Sequence, residues 1–201
     1  MLLNFNQKNR LMKRIAIFAS GSGTNAENII KYFHGNKFAE VVVVFSNNPN
    51  AFVLERASGL NVKSVVFNKK QLKDPNWAAQ NVYNLDLDLI VLAGFLWKFP
   101  AHLLQQFKNK VLNIHPALLP KYGGKGMYGS HVHKAVVANQ ESESGITIHY
   151  VNEHYDEGAV IFQAKCFVLE TDTFNELAAK IHELESKHLP VVIHNILAEN
   201  G

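Results

Sequence analysis

The fold is decided by the stretch 14-RIAIFASGSGTNAENIIKYFHG-35. Residues 14–20 are an apolar run typical of a buried strand, and residues 24–35 repeat their apolar side chains at helical spacing. Between them, Gly21 and Gly23 permit a tight turn. A strand, a glycine turn and a helix in this order are typical of the nucleotide-binding type of open α/β sheet.

The rest of the chain continues this alternation, with four more short apolar runs at residues 40–46, 62–67, 87–95 and 109–115. Runs this rich in β-branched residues are typical of parallel strands covered by helices. Two longer runs, at 145–151 and 159–169, have no helix between them and are predicted to pair antiparallel. We therefore predict an α/β fold: a single-domain, Rossmann-like, mostly parallel sheet with helices on both faces and a mixed C-terminal portion containing antiparallel strands.

The last part of the chain predicts a helix that begins near residue 173. Asp172 or Thr173 is its predicted N-cap, with Glu176 placed to complete a capping box. Pro190 is predicted to kink or end this helix, because proline lacks a backbone N–H.

Composition and charge restrict the classes of protein and ligand. The 201 residues are 47% hydrophobic and 18% charged, as in an ordinary globular domain. A net charge of +3 suits small anionic ligands but not nucleic acid, since no dense basic stripe occurs.

The location of the protein is predicted from its cysteine content and its apolar runs. Cys166 is the only cysteine, so no disulfide within the chain requires an oxidising compartment. No apolar run reaches the roughly 20 residues of a membrane helix, and we therefore predict a cytoplasmic protein without a membrane partner. Residues 1–12 are predicted to be a polar, poorly ordered leader, and residues 13–201 one domain.

The glycine turn predicts an anion site. Gly21 and Gly23 allow the backbone to approach a phosphate closely, and the following helix presents unpaired N–H groups and a partial positive charge. Ser22, Thr24 and Asn25 add side-chain donors.

A dinucleotide site is the alternative, because Gly21, Gly23 and Ala26 also fit the dinucleotide fingerprint. That fingerprint needs an acidic residue at the end of the second strand to bind the ribose. Here the strand ends in Ser46 and Asn47, so a phosphate monoester fits better.

Asn113 and His115 end the fifth predicted strand, where ligands bind in open α/β sheets. They are two residues apart, so in an extended chain both side chains lie on one face, and Pro116 favours that extended geometry. An amide donor beside a protonated imidazole suits stabilisation of an oxyanion in acyl transfer. A nearby carboxylate is needed to keep the imidazole charged, and Asp156 is the candidate.

Six segments together resemble the folate-dependent phosphoribosylglycinamide formyltransferase family over nearly the whole chain, from about Lys13: SGSGTN (20–25), FSNNPNAFVLERA (45–57), VLAGF (91–95), LNIHPALLPKY (112–122), GITIHYVNEHYDEG (145–158) and IHELESKHLPVVI (181–193). The LNIHPALLP segment is shared with the wider formyltetrahydrofolate family and specifies the chemistry. The glycine turn specifies a small phosphorylated substrate.

The resemblance implies roles for particular positions. The implied catalytic residues are Asn113, His115 and Asp156. The implied phosphate ligands are Gly23, Thr24 and Asn25, and the ribose or glycinamide contacts are Pro116 and Glu185. The implied folate contacts are Leu96, Trp97, Lys98, Phe99, Asn113, Val151, Asn152, Glu153, His154 and Tyr155. The co-substrate would be 10-formyltetrahydrofolate, without a metal, and the resemblance leaves monomer and homodimer both open.

The implied reaction is transfer of the formyl group to the amine of 5′-phosphoribosylglycinamide in purine biosynthesis, by direct amine attack through a tetrahedral intermediate. Hydrolysis of formyltetrahydrofolate and a non-enzymatic nucleotide-binding regulatory module are the alternatives. The chain departs from the family after the third strand, where the family often has an arginine near the folate and Lys69 or Lys70 is the candidate here, and in the longer loop from Gly123 to His133. His131 and His133 lack further ligands at suitable spacing, so no metal site is predicted.

Overall fold

The computed structural model describes residues 12–199. The predicted polar leader, residues 1–12, lies outside the described residues except for Met12. Of the predicted domain, residues 13–199 are described.

One seven-stranded sheet forms the centre of the molecule, with the strand order β3-β2-β1-β4-β5-β6-β7. The strands are β1 (Lys13–Phe18), β2 (Ala39–Ser46), β3 (Ser64–Val66), β4 (Leu89–Leu92), β5 (Val111–His115), β6 (Glu143–Tyr150) and β7 (Val160–Phe167). The first five strands pair in parallel, whereas β6 pairs antiparallel with both β5 and β7. The predicted fold class is therefore confirmed, including the antiparallel C-terminal pair.

Helices cover both faces of this sheet. They are α1 (Thr24–Phe33), α2 (Val53–Gly59), α3 (Lys69–Lys73), α4 (Pro75–Asn81), α5 (Ala101–Gln106), α6 (Ser130–Ala138) and α7 (Phe174–Glu199), with a short 3-10 helix at Tyr83–Leu85. Strand β1 shows why two layers are needed, because Ile15 and Ile17 belong to one apolar cluster and Ala16 and Phe18 to another. Helices α1, α2, α6 and α7 contribute to the first cluster, and α3, α4 and α5 contribute to the second.

Helix α7 runs on to Glu199, so the prediction that Pro190 ends this helix is wrong. A proline leaves the carbonyl four residues earlier without its helical donor. That carbonyl belongs to Ser186, and it accepts a hydrogen bond from Asn28 Nδ2 at 2.8 Å. The expected capping box is present: Glu176 N–H donates to Thr173 Oγ1 at 3.3 Å, and Thr173 N–H donates to Glu176 Oε2 at 2.6 Å.

Two short helices, α3 and α4, lie where the periodicity predicts no element. Their signals are local: Asn68 and Gln71 form a capping box at the start of α3. Asp74 then caps α4 by accepting from the Asn76 N–H, and Pro75 is the first helical residue. Cap and proline signals therefore identify these helices better than apolar spacing does, because each is only one to two turns long.

Candidate active site

A cavity of about 640 Å³ opens at the carboxyl edge of the parallel strands. Its wall is formed by the segments that follow β1, β4, β5 and β6, together with one side of α7. Carboxyl ends of parallel strands are the usual ligand-binding edge of an open α/β sheet. The glycine turn and the Asn113–His115 pair therefore face the same space, as the sequence predicts.

The glycine turn forms a backbone cradle at the N-terminus of α1. Gly23 has φ +75° and precedes the first helical residue, Thr24. A Cβ at Gly23 would lie 2.4 Å from Val53 Cγ2, so the turn requires glycine for space as well as for conformation. The N–H of Val53 donates to the carbonyl of Gly21 at 3.1 Å and holds α2 against the turn. No carboxylate takes part at the end of β2, where Asn47 Oδ1 accepts from Ser20 Oγ at 2.6 Å.

Glu185, on α7, lies beside this cradle. It is 6% exposed, and its Oε2 accepts from Asn25 Nδ2 at 3.0 Å. His182 Nδ1 lies 3.0 Å from the same oxygen, and this hydrogen bond raises the pKa of His182. A buried carboxylate thus lies next to the positive end of α1, which suits a ligand that carries both an anionic group and hydrogen-bond donors.

The structure brings the side chains of Asn113, His115 and Asp156 together. Asp156 Oδ1 accepts from Asn113 Nδ2 at 3.4 Å, and Asp156 Oδ2 lies 3.6 Å from His115 Nδ1. Asp156 has φ +56°, and its Oδ2 accepts the Gly124 N–H at 2.9 Å. Two loops that are distant in sequence therefore meet on this carboxylate.

His115 is fixed in one orientation by the loop that follows β5. Its Nε2 lies 2.7 Å from the carbonyl oxygen of Tyr122. A carbonyl only accepts hydrogen bonds, so Nε2 must bear a proton, and Nδ1 is the nitrogen that can gain or lose one. Nδ1 is also the nitrogen that faces Asp156.

The expectation that Asp156 keeps His115 charged at neutral pH is wrong for this structure. His115 is 3% exposed, and this burial lowers the pKa of its imidazole by more than the charge of Asp156 raises it. The imidazole is therefore neutral near pH 7, with a free lone pair on Nδ1. Burial pushes the pKa of Asp156 up, but hydrogen bonding to His149, the charge that His115 carries at low pH and the Gly124 N–H lower this pKa overall, so Asp156 is ionised near pH 7.

His149 is a site residue that the sequence does not reveal. It stands directly opposite Asn113 in the β5–β6 register, and its Nε2 lies 3.1 Å from Asn113 Nδ2 and 3.6 Å from Asp156 Oδ1. The sequence feature that could have identified His149 is the alternation of side chains between the two faces of β6, which places His149 on the same face as Thr147. Thr147 is buried and accepts from the Leu119 N–H at 3.0 Å, holding the segment that follows His115.

Most of the other expected contact residues line the main cavity. They are Gly23, Thr24, Asn25, Leu96, Trp97, Lys98, Phe99, Pro116, Val151, Asn152, His154, Tyr155 and Glu185. Glu153 lines instead an adjoining pocket of about 390 Å³, as does Lys69, while Lys70 lines neither. His133 lines the main cavity and His131 does not.

Within residues 12–199, no group of three or more metal-binding side chains is clustered. No helix in the same range is both long and apolar enough to span a membrane.

Comparison with known proteins gives consistent results. Residues 13–193 match the formyl transferase family. The chain is 38% identical to the phosphoribosylglycinamide formyltransferase of Haemophilus influenzae over 187 residues, which cover 90% of this chain and 86% of that protein. It is 37% identical to the chloroplastic phosphoribosylglycinamide formyltransferase of Arabidopsis thaliana. That alignment covers 90% of this chain and 64% of the Arabidopsis protein. A crystal structure of glycinamide ribonucleotide transformylase 1 from Symbiobacterium toebii superposes with a TM-score of 0.84 at 30% identity, covering 94% of this chain and 89% of that one.

Proposed function

The chain belongs to the formyl transferase family, and we propose that it transfers the formyl group of 10-formyltetrahydrofolate to the amine of 5′-phosphoribosylglycinamide in purine biosynthesis. The observation that supports this assignment is a single cavity that contains both a helix N-terminal glycine cradle and the Asn113–His115–Asp156 cluster. The first feature suits a phosphate monoester and the second suits acyl transfer.

We assign the two substrates to opposite parts of the cavity. The phosphate would lie against Gly23, Thr24 and Asn25, where the N-terminus of α1 favours negative charge. Glu185, which is hydrogen-bonded to Asn25, would bind the ribose or glycinamide portion, and Pro116 would line that portion. The folate would lie along the segments after β4 and β6: Leu96, Trp97, Lys98, Phe99, Val151, Asn152, Glu153, His154 and Tyr155.

The state of His115 suggests how the proton moves. The substrate amine attacks the formyl carbon, and the carbonyl electrons move to oxygen to give the tetrahedral intermediate. His115 Nδ1, neutral at the start, accepts the proton that the attacking nitrogen must lose. When the carbonyl re-forms and the bond to the folate nitrogen breaks, the same Nδ1 returns the proton to that leaving nitrogen. Asp156 stabilises the imidazolium that exists between these two transfers.

The test is to incubate the protein with both substrates and to measure formylated ribonucleotide and free formate. Formation of the product without formate release supports the transferase. Formate release without the ribonucleotide would instead support the hydrolase alternative. A protein that binds NAD and forms neither product would support the regulatory module.

A His115→Ala variant adds a check on the site itself. We expect its turnover to fall by about two to four orders of magnitude, because a general acid–base group is lost, while both KM values change much less. Turnover near the wild-type value would remove His115 from this role. A cytoplasmic location remains a prediction.

A further inference from the structure

His133 is a buried histidine in the wall of the main cavity that has no role in the proposed proton transfers. It lies in the first turn of α6, is 4% exposed, and lines the same cavity as His115 and Glu185. Two other residues of this helix, Val132 and Val136, are apolar and belong to the core. The ring of His133 therefore lies at the boundary between the apolar core and the cavity.

The Nδ1 atom of His133 is shielded from solvent and has no hydrogen-bond partner within residues 12–199. Three other buried side-chain atoms of the described residues share this condition but do not line the main cavity: His102 Nε2, Ser144 Oγ and His194 Nδ1. Leaving a buried polar group unpaired is costly, and most such groups in proteins have a partner. An unpaired ring nitrogen in a cavity wall therefore indicates that a bound molecule supplies the partner.

The charge state of His133 restricts what that molecule can offer. Burial lowers the pKa of the imidazole, and so does the charge of His182, so the ring is neutral at pH 7. A neutral imidazole has one N–H donor and one lone pair. It therefore suits an uncharged polar group, such as an amide, better than it suits a phosphate or a carboxylate.

The charged neighbours of His133 indicate which part of the proposed ribonucleotide it meets. The ring is close enough to both Glu185 and His115 for their charges to act on its pKa. Glu185 is hydrogen-bonded to Asn25 of the glycine cradle, and His115 is assigned to the attacking amine. In phosphoribosylglycinamide, the group between the ribose and that amine is an uncharged amide with one donor and one acceptor.

Taking the proposed formyl transfer as given, we propose that His133 is a substrate-binding residue whose imidazole forms a hydrogen bond with the amide of the glycinamide portion. The torsion that orients a histidine ring is broad, so the ring can turn a nitrogen towards the ligand. Phosphorylated riboses without this amide lack the contact. His133 therefore contributes to specificity, whereas the glycine cradle binds the phosphate that all these molecules share.

The binding test compares His133→Leu with the wild-type protein, using the unformylated ribonucleotide and ribose 5-phosphate as ligands in calorimetry without folate. We expect the variant to bind the ribonucleotide about three- to tenfold more weakly, as for loss of one uncharged hydrogen bond, and ribose 5-phosphate equally well. The unfolding temperature without ligand should equal or exceed that of the wild type, because an apolar group replaces an unpaired polar one. An unchanged affinity for the ribonucleotide, or an equal loss for both ligands, would overturn the proposal.

His194→Leu is the matched control. His194 also has a buried Nδ1 without a partner, but its ring packs against Phe33 and Phe38 and does not line the main cavity. Its variant should bind both ligands as the wild type does. A loss of ribonucleotide affinity as large as that of His133→Leu would show that the effect does not come from the cavity wall, and the proposal would then be wrong.

A measurement on the unmutated protein does not depend on whether His133→Leu folds. The imidazole ¹⁵N signals of His133 should shift when the ribonucleotide is added and stay in place when ribose 5-phosphate is added. A wild-type protein that does not bind the ribonucleotide would contradict the proposed function. Binding of the ribonucleotide that leaves the His133 signals unmoved would overturn only the role of His133.

Discussion

Replacing Asp156 by asparagine tests whether one carboxylate supports the proton transfers of His115. The substitution keeps the size of the side chain and an oxygen that can accept the Gly124 N–H, 2.9 Å from Oδ2 in the native protein. It removes the negative charge, which lies 3.6 Å from His115 Nδ1, and its NH₂ group takes the place of Oδ1, which accepts from Asn113 Nδ2 at 3.4 Å in the native protein. The variant therefore tests the electrostatics of the cluster while it keeps the contact between the two loops.

The size of the effect follows from this distance. Two unit charges 3.6 Å apart interact by about 4–5 kcal/mol at an effective dielectric constant of about 20. The Asp156 side chain is 11% exposed, so solvent screens part of this interaction, and the asparagine oxygen recovers part of the rest. We expect a net loss of about 2–3 kcal/mol in stabilisation of the protonated His115 intermediate, which is roughly a 30- to 150-fold fall in kcat.

The assay measures formylated ribonucleotide at saturating concentrations of both substrates, together with a thermal unfolding curve for each variant. Glu157→Gln is the matched control, since it removes an exposed carboxylate one residue away that does not line the cavity. Its kcat should equal that of the wild type. An Asp156→Asn protein that is folded and retains more than a third of the wild-type kcat would refute the electrostatic argument.

Two further predictions concern the glycine cradle and the neighbouring pair of Glu185 and His182. Gly23→Ala should lower the unfolding temperature and raise KM for the ribonucleotide by at least about tenfold, because the new Cβ clashes with Val53 and φ is positive. Gly21→Ala is the control and should keep the wild-type unfolding temperature, since no atom lies within 4 Å of its Cβ. Equal melting curves for the two variants would contradict this prediction. Glu185 raises the pKa of His182, so the stabilisation from this pair is complete below the unfolded pKa of about 6.5 and is lost as pH rises through the folded pKa. His182→Gln should therefore lower the unfolding temperature at pH 6 but not at pH 9, and a difference that does not depend on pH would exclude this linkage.

The inner strands of the sheet could be predicted from the sequence because they are largely buried and leave strong local signals. Residues 40–46 and 109–115 are apolar runs of this kind, and they correspond to β2 and β5 within two residues. The fourth run predicts a strand over 87–95, but β4 ends at Leu92 and the following residues turn into the cavity. Apolar character alone does not distinguish a strand from a buried turn at a sheet edge.

The candidate site was predictable only where its residues are close in sequence. Asn113 and His115 share a strand, so their common face follows from alternation. The contact of Asn113 with His149 spans 36 positions, and it depends on the register of β5 against β6. The Tyr122 carbonyl that fixes His115 is a backbone group, which a side-chain pattern does not reveal.

Pro190 removes one backbone hydrogen bond within α7, but the carbonyl that it frees forms a hydrogen bond with the neighbouring helix α1. The carbonyl released at Ser186 binds Asn28, and the adjacent Glu185 binds Asn25 one turn earlier along α1. Two hydrogen bonds from consecutive residues of α7 therefore hold that helix against α1. The position of the Glu185 carboxylate relative to the glycine cradle is consequently set by the packing of two helices and not by a loop.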